Sequence, residues 1–408
     1  MKILVLNAGS SSHKSCLFDL SSADADHSPS PLWRAALDWT HQEGGVELTA
    51  TNAAGDSMQQ VLSTTDKAEG IEAMVKTLVQ GPTQVLGDLA EIAAVGHRVV
   101  HGGHNYQNPV VVDDEVKATI ESLIPLAPAH NPANLQGIEA IAQSLGTIPQ
   151  VAVFDTAFHS HMPEAAATYP GPYAWVEQGI RRYGFHGISH QYVAQRAAKM
   201  LGRDLESLKI LTCHLGNGCS LAAVKDGFCV DTTMGFTPLE GLMMGSRSGS
   251  VDPGLLIHLM RHEGYSVDDL DTLLNKESGL KGLSGLSNDM RLVTEAMEQG
   301  NPQAKLAIEV FIHRLRREMG GMIASLGGLD VVVFTAGIGE NKSLVWQRAC
   351  EGFEFLGLRL NDDPSRAQDD QDIATMDSAV RVLVIHTQEE WAIAQACLAL
   401  LQPATGHM

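Results

Sequence analysis

Short apolar runs alternate with polar stretches along the whole chain, and each run predicts one element of secondary structure. Residues 3–6 form a run typical of a buried strand, and residues 17–18 begin a second strand after a small turn. Residues 92–95 and Gln150–Phe154 have the same character, whereas residues 134–144 have the spacing of an amphipathic helix. Strands that alternate with helices predict an α/β fold.

The remaining periodic segments extend this alternation to the end of the chain. Residues 21–66 are rich in Ser, Asp, Thr and Gly with period-two stretches, which predicts further antiparallel strands and exposed loops. The other predicted elements are a helix at 69–79, a strand at 330–334, a helix at 343–350, a strand at 380–385 and a helix at 389–401.

The second half of the chain begins as the first half does. When residues 3–19 are set over residues 210–226 without a gap, Ile3 meets Ile210 and Gly9 meets Gly216. Both segments consist of an apolar run, a Gly-centred turn and a returning run. This similarity favours a duplicated two-domain architecture, while two unrelated hairpins remain the alternative.

Composition narrows the class of protein. A length of 408 residues favours two domains, and an apolar content of 44% is ordinary for a globular protein. The formal net charge of −20 argues against a nucleic-acid or anionic-membrane partner. Neither the N-terminal apolar run nor the apolar window at 320–339 has the pattern of a signal peptide or a membrane span. The 6 cysteines are scattered without a C-x-x-C pair, so we expect a cytoplasmic protein without disulfides.

Three glycine-rich turns follow predicted strands, at residues 7–12, 214–218 and 337–341. Glycine lets backbone N–H groups approach an anion closely, and hydroxyl side chains add donors. One such turn alone is more often a plain hairpin than a phosphate loop. Neither a G-x-x-x-x-G-K-[ST] motif nor an intact G-x-G-x-x-G motif is present in the sequence.

Two arginines and one aspartate have the chemistry of an anion site. Arg98 and Arg247 lie among glycines, where a side chain has little to pack on, so we expect anion clamps rather than surface salt bridges. Asp155 follows an apolar strand, at the edge where α/β sheets bind ligands. The histidine pairs 101/104 and 159/161 lack the carboxylate support of a zinc site.

A series of motifs in order along the chain resembles the acetate kinase family, which is part of the acetate and sugar kinase, Hsp70 and actin superfamily. The segments are N-A-G-S-S-S (7–12), G-H-R-V-V-H-G-G (96–103), F-D-T-A-F-H (154–159), R-Y-G-F-H-G-I-S-H (182–190), H-L-G-N-G (214–218), M-G-S-R-S-G (244–249), D-M-R (289–291), F-T-A-G-I-G-E-N (334–341) and T-Q-E-E (387–390). His13 departs from the family, which has an apolar residue before Lys14.

The resemblance implies an α/β fold of duplicated actin-like (ribonuclease H-like) domains with a central nucleotide cleft. Residues 1–156 with a returning segment 388–408 would form the first domain, and residues 157–387 the second, nucleotide-binding one. The implied reaction is reversible transfer of a phosphoryl group from ATP to acetate, giving ADP and acetyl phosphate. Mg²⁺, or Mn²⁺ in its place, is the implied cofactor, and a homodimer the implied assembly.

The resemblance also assigns roles to single residues. Asp155, His186 and Arg247 would be catalytic, Arg98 would bind the acetate carboxylate, and Asn7 and Glu389 would contact magnesium. The residues implied in nucleotide binding are Lys14, Ser10, Ser12, His214, Leu215, Gly216, Asn217, Gly218, Asp289, Met290, Arg291, Gly337, Ile338, Gly339, Glu340 and Asn341.

Several alternatives stay open at this point. The family assigns proton transfer to Asp155, but a carboxylic acid substrate is already ionised at neutral pH, so Asp155 could instead orient an arginine or a magnesium-bound water. Glu389 could simply be a carboxylate that stabilises a helix N-terminus. Propionate or butyrate could be the preferred acid, because one methylene changes binding only by about 1–3 kcal/mol. A nucleotide-switched binding protein similar to actin or Hsp70 is the competing class.

Overall fold

The chain is described here by a computed structural model that covers residues 1–9, 12–21, 29–40, 44–361 and 370–402. It forms two compact units. The first consists of Met1–Ala157 together with Gln388–Met408, and the second consists of Phe158–Thr387. Each unit has its own sheet and its own covering helices.

Most strands lie on apolar runs of the sequence, although Ser57–Leu62 and Gln371–Asp372 do not. In the first unit they are β1 (Lys2–Ala8), β2 (Ser12–Asp19), β3 (Trp33–Asp38), β4 (Val46–Asn52), β5 (Ser57–Leu62), β6 (Ile92–Val99), β7 (Val110–Val111) and β8 (Gln150–Phe154). In the second unit they are β9 (Ile210–Leu215), β10 (Cys219–Lys225), β11 (Phe228–Thr232), β12 (Val331–Thr335), β13 (Gln371–Asp372) and β14 (Arg381–Val384). Every residue of β9 and β12 is buried, which explains why both strands are mainly apolar.

The helices are α1 (Lys67–Lys76), α2 (Asp114–Ser122), α3 (Asn131–Leu145), α4 (Glu164–Ala167), α5 (Ala174–Glu177), α6 (Gly187–Leu201), α7 (Pro253–His258), α8 (Val267–Lys276), α9 (Gly279–Ser284), α10 (Met290–Glu298), α11 (Pro302–Leu326), α12 (Ala336–Asn341), α13 (Ser343–Cys350) and α14 (Glu389–Leu401). Short 3₁₀ turns occupy Leu89–Glu91, Ile124–Leu126, Ala157–His159, Leu205–Ser207 and Glu351–Leu356, and a π-helical turn occupies Leu259–Glu263. Asp66 and Asp113 accept hydrogen bonds from the first turns of α1 and α2, as N-cap residues do. The part of the chain covered by the structure contains no helix long and apolar enough to span a bilayer.

The two sheets share one arrangement of strands. The order in the first sheet is β5-β4-β3-β2-β1-β6-β8-β7, and in the second it is β11-β10-β9-β12-β14-β13. In each sheet a central strand pairs antiparallel with its successor and parallel with a later strand: β1 with β2 and β6, β9 with β10 and β12. The predicted duplication is therefore present at the level of strand pairing.

The gapless superposition of the two hairpins is wrong by one residue in the returning strand. In the first hairpin Ala8 pairs with His13 across the turn, whereas in the second Leu215 pairs with Cys219. The second turn is thus one residue shorter. The gapless superposition is therefore correct along the first strand of each hairpin, where Ile3 matches Ile210, but not along the second strand.

The prediction of a glycine-rich turn at 337–341 is also wrong, because these residues form helix α12 directly after β12. The chain enters this helix through Ala336, which has a left-handed φ of 64°. The sharp bend at one residue replaces the loop that the glycines suggested.

Helix α14 packs against the sheet of the first unit at a glycine. A Cβ on Gly96 in β6 would lie 2.5 Å from Cγ2 of Ile393 and 2.7 Å from Sγ of Cys397. Only glycine permits this close approach. The contact holds the start of α14, with Glu389, near the carboxyl end of β6.

Candidate active site

In the first unit, neighbouring parallel strands bring polar residues to one edge of the sheet. Leu6 of β1 pairs with His97 of β6, and Arg98 pairs with Val153 of β8. Asn7 follows Leu6 directly and Asp155 lies two residues after Val153, so both lie beside Arg98 at the carboxyl ends of the strands, where α/β sheets bind ligands.

Arg98 is held by two polar neighbours. Its Nε and Nη2 donate to the two carboxylate oxygens of Asp155 at 3.0 and 2.5 Å, and its Nη1 donates to Oδ1 of Asn7 at 3.3 Å. Asp155 is 1% exposed and Arg98 19% exposed. The salt bridge is buried and its partner is another predicted site residue, so it is not the surface salt bridge that was the alternative to an anion clamp. Burial opposes the charge of Arg98, yet Asp155 and Glu389 raise its pKa above the ordinary value.

Glu389 is the first residue of α14, and its Oε1 atom is buried without a hydrogen-bond partner among the described residues. Burial raises the pKa of Glu389 to about 7; Arg98 opposes this shift, whereas Asp155 and Glu390 add to it. A buried carboxylate oxygen without a donor is the kind of atom that a hard cation takes up. Together with the amide oxygen of Asn7, Glu389 therefore has the donor chemistry expected of a magnesium site.

The turn after β1 carries the other candidates of this unit. The Gly9 amide donates to the Ser12 carbonyl at 2.9 Å, which closes the turn. Lys14 is exposed on β2 and pairs with Asn7 across the hairpin. Ser12 is half-buried at the start of β2, and Ser10 lies outside the described residues.

In the second unit, two candidate catalytic side chains face the same glycine. The Cε1 and Nε2 atoms of His186 lie 3.5 Å from the position that a Cβ on Gly218 would occupy. Nη1 of Arg247 lies 3.6 Å from this position. Arg247 also donates to the Pro238 carbonyl at 3.1 Å, and no described carboxylate forms an ion pair with it. Burial lowers its pKa from the usual value, so an anionic partner would stabilise the guanidinium.

His186 stacks on His214, with ring centroids 4.1 Å apart and planes 16° apart. Nδ1 of His214 is 2.8 Å from the Ser189 hydroxyl, which is 2.9 Å from the Thr387 hydroxyl. His214 is buried at the end of β9, next to Gly216. His214 therefore packs against one face of the His186 ring and does not line an open pocket.

A cavity of about 490 Å³ lies beside these residues, in the same unit. Its lining consists of Gly216, Asn217, Asn288, Asp289, Met290, Arg291, Gly337, Ile338, Asn341 and Lys342. The β9–β10 turn, the start of α10 and helix α12 supply these groups. The volume is typical of a site for a small organic ligand.

Eight of the lining residues were predicted nucleotide contacts, whereas Leu215, Gly218, Gly339 and Glu340 do not line the cavity. Leu215 is fully buried, and Glu340 accepts hydrogen bonds from the amides of Ala336 and Thr387. Sequence reasoning missed Asn288 and Lys342. Both directly flank predicted segments, so adjacency along the chain was the signal that could have found them.

The family model of the Acetokinase family matches residues 2–395. The chain belongs to the acetokinase family. An acetate kinase from Cyanothece is 58% identical over 403 residues, covering 98% of this chain and 99% of the relative. One from Trichormus variabilis is 59% identical over 405 residues, covering 98% of this chain and 100% of the relative.

Solved structures agree with this membership. The Porphyromonas gingivalis acetate kinase matches with a TM-score of 0.92 and 40% identity, covering 98% of this chain and 100% of that chain. A propionate kinase from Francisella tularensis matches with a TM-score of 0.87 and 37% identity, covering 97% and 98%. The predicted acetokinase resemblance and the actin-like α/β fold class are thus confirmed.

Proposed function

We propose that this acetokinase-family chain is an acetate kinase, which transfers the γ-phosphoryl group of ATP to acetate and gives acetyl phosphate and ADP. A carboxylate oxygen of acetate forms a bond to the γ-phosphorus while the bond from that phosphorus to the β,γ-bridging oxygen breaks. ADP leaves with the electron pair. The reaction is reversible because the same groups stabilise charge in both directions.

One observation carries the proposal. Three successive residues of the β9–β10 turn connect the cavity with the two anion-stabilising side chains: Gly216 and Asn217 line the cavity, and Gly218 faces His186 and Arg247. A nucleotide in the cavity would place its terminal phosphate toward these two side chains. Phosphoryl transfer needs positioning and charge stabilisation above all, and an arginine with a histidine can supply both.

The first unit supplies the acceptor chemistry in this proposal. Arg98 is oriented by Asp155 and Asn7, and its planar guanidinium suits the carboxylate of acetate. Because acetate is ionised at neutral pH, the proposal gives Asp155 the task of holding Arg98. Asn7 and Glu389 would hold Mg²⁺, with Mn²⁺ as a substitute, and the bound ion would neutralise phosphate charge. We treat the two compact units as the two domains of the enzyme.

The acid specificity has one competing candidate, because a structural relative is a propionate kinase. A hydroxamate assay for acyl phosphate, run with ATP, Mg²⁺ and acetate, propionate or butyrate, separates the possibilities. We expect the highest kcat/KM with acetate. A higher value with propionate or butyrate would change the assigned acid, and the absence of any acyl phosphate would overturn the proposal.

We also propose a homodimer and a cytoplasmic location. Apolar side chains from α7 to the first residue of α8 are unusually exposed: Leu255 by 46%, Ile257 by 49%, Met260 by 44% and Val267 by 69%. A self-complementary contact would cover them. The 6 cysteines are all buried and unpaired, as expected in a reducing compartment.

Light scattering after size-exclusion chromatography tests the assembly. We expect a dimer for the wild type and a shift toward monomer for Ile257→Lys. Leu400→Lys, which alters an aliphatic residue that is 42% exposed in α14, is the matched control and should leave the dimer intact. A monomeric wild type would contradict the assembly.

A further inference from the structure

His186 has an unusual backbone and a fixed side chain. It precedes α6 with a left-handed φ of 56°, which a residue other than glycine seldom adopts. Its Nδ1 lies 2.8 Å from the Ser220 hydroxyl, which belongs to strand β10. The hydroxyl is fully buried. Neither feature was evident in the sequence.

The hydrogen bonds continue behind Ser220. The Ser220 hydroxyl lies 2.7 Å from Nε2 of His190, and Nδ1 of His190 lies 2.7 Å from the Thr212 hydroxyl. The Thr212 hydroxyl donates to the carbonyl of Ala222 at 3.2 Å. A carbonyl oxygen can only accept, so we assign the Thr212 proton to this contact.

The direction of the Thr212 hydrogen bond determines the donors and acceptors in the other hydrogen bonds of the series. Since Thr212 uses its proton on Ala222, its oxygen accepts from Nδ1 of His190. Burial holds the pKa of His190 well below its usual value, so the ring is neutral and its Nε2 accepts from Ser220. The Ser220 oxygen then accepts from Nδ1 of His186, which must carry a hydrogen.

We propose that Ser220, supported by His190, is a positioning residue that holds Nδ1 of His186 as an N–H group and directs the opposite ring edge toward Gly218. This inference rests on the proposed role of His186 in the kinase reaction. With Nδ1 fixed as a donor, Nε2 carries a hydrogen only when the ring is an imidazolium. A hydrogen bond from Nε2 to a phosphoryl oxygen therefore requires the protonated ring.

The charged and titratable groups that face His186 come from strand β9, helix α6 and the loop that carries Arg247. His214 of β9 stacks on the ring, His190 of α6 lies 6.5 Å away between centroids, and Arg247 shares the position beside Gly218. All of these groups are present in the Ser220 variants. A change in the pH dependence of kcat in Ser220→Ala would therefore result from the loss of the Ser220 hydroxyl.

The direct test is the tautomer of His186 in the wild-type protein. Histidine labelled with ¹⁵N gives distinct shifts for Nδ1–H and Nε2–H, and the His186→Gln spectrum assigns the signal. The measurement is made without substrates, above the pH at which the ring loses its charge. We expect Nδ1–H, and the Nε2–H tautomer would overturn the inference. A failed acyl phosphate assay would instead overturn the kinase proposal.

Kinetics provide the second test. In Ser220→Ala the neutral ring can adopt the Nε2–H form, so we expect kcat to fall less steeply at alkaline pH than in the wild type, with little change in KM for ATP. Ser220→Thr retains the hydroxyl and should restore the wild-type profile. Ser189→Ala removes the equally buried hydroxyl beneath His214 and should retain the wild-type slope. Equal slopes for the Ser220→Ala and Ser189→Ala variants would overturn the inference. If Ser220→Ala does not fold, the wild-type tautomer decides alone.

Discussion

At the scale of single residues, Arg98 is the candidate group for binding the acceptor, and Asp155 is the carboxylate that holds it in place. Asp155 is almost fully buried and uses both carboxylate oxygens on Arg98, so this carboxylate orients the guanidinium. The sequence placed Asp155 at the end of a strand. It could not show that Arg98 lies next to it, because this contact depends on the register of β6 and β8.

Asp155→Asn keeps the shape of the side chain but removes the charge that holds Arg98. We expect kcat/KM for acetate to fall on the order of 100-fold, since small errors in placing a reactant have effects of this size. KM for ATP should change little. Steady-state kinetics at two magnesium concentrations check the result, and recovery of the rate at high magnesium would show that Asp155 acts through the metal instead.

His13 gives a prediction about stability and pH. Burial, with a smaller contribution from the nearby charge of Lys67, lowers the pKa of His13 to about 4. The unfolded chain therefore binds a proton here at a higher pH than the folded chain, so stability decreases as pH falls from about 6.5 toward about 4. His97 and His101, also buried with pKa values lowered to about 4, act in the same direction.

His13→Val should remove one part of this loss. The substitution should raise the free energy of unfolding by roughly 2 kcal/mol more at pH 5 than at pH 8. Thermal unfolding at both pH values measures it. His262→Val, at an exposed position, is the control, and equal effects of the two substitutions on the pH dependence would refute the explanation.

At the scale of elements, the junction of β12 and α12 shows where sequence reasoning fails and why. Glycines at 337 and 339 suggested a loop, but one residue in the left-handed region, Ala336, turns the strand directly into a helix. Oε1 of Glu340 accepts from the Ala336 amide at 2.8 Å and from the Thr387 amide at 3.0 Å. The contact with Thr387 joins residues that are distant in sequence, so no local pattern reveals it.

Ala336→Gly should relieve the strained backbone and raise the free energy of unfolding by about 1 kcal/mol. Ala73→Gly in α1, where the backbone is helical, should lower it by a similar amount. Chemical denaturation of both variants provides the comparison. A loss of stability in both would show that the left-handed conformation is not strained.

Glu340→Ala would leave two amides without their acceptor and shift the helix that lines the cavity. We expect KM for ATP to rise at least tenfold and stability to fall by about 1–3 kcal/mol. Glu340→Gln retains an oxygen acceptor and should behave almost as the wild type. If both variants had the same KM for ATP, Glu340 would have no part in positioning α12.

At the scale of the whole molecule, the sequence predicted the α/β class and the duplication because buried strands have a strong apolar signal. Val331–Thr335 and Ile210–Leu215 are examples. The site was harder to predict. Motifs placed most residues around the cavity, but Ser220 lies outside them, and its position beside Thr212 and Ala222 follows from the pairing of β9 and β10. His190 lies within the motif at 182–190, yet no sequence pattern shows that its ring contacts Ser220.

In the proposed reaction the basic groups of the two units have different tasks. Arg98 of the first unit would bind the carboxylate before and during transfer, whereas Arg247 of the second unit would stabilise charge that develops in the transition state. Loss of an interaction that binds the substrate and the transition state equally raises KM, whereas loss of an interaction made only in the transition state lowers kcat. The two arginines should therefore differ in which parameter they control.

The most direct measurement is kcat and KM for acetate in Arg98→Lys and Arg247→Lys, compared with the wild type. We predict that Arg98→Lys mainly raises KM for acetate and that Arg247→Lys mainly lowers kcat, each on the order of 100-fold, because lysine lacks the planar fork of arginine. Wild-type kinetics in both variants, or a rise in KM for acetate with unchanged kcat in both, would contradict the account.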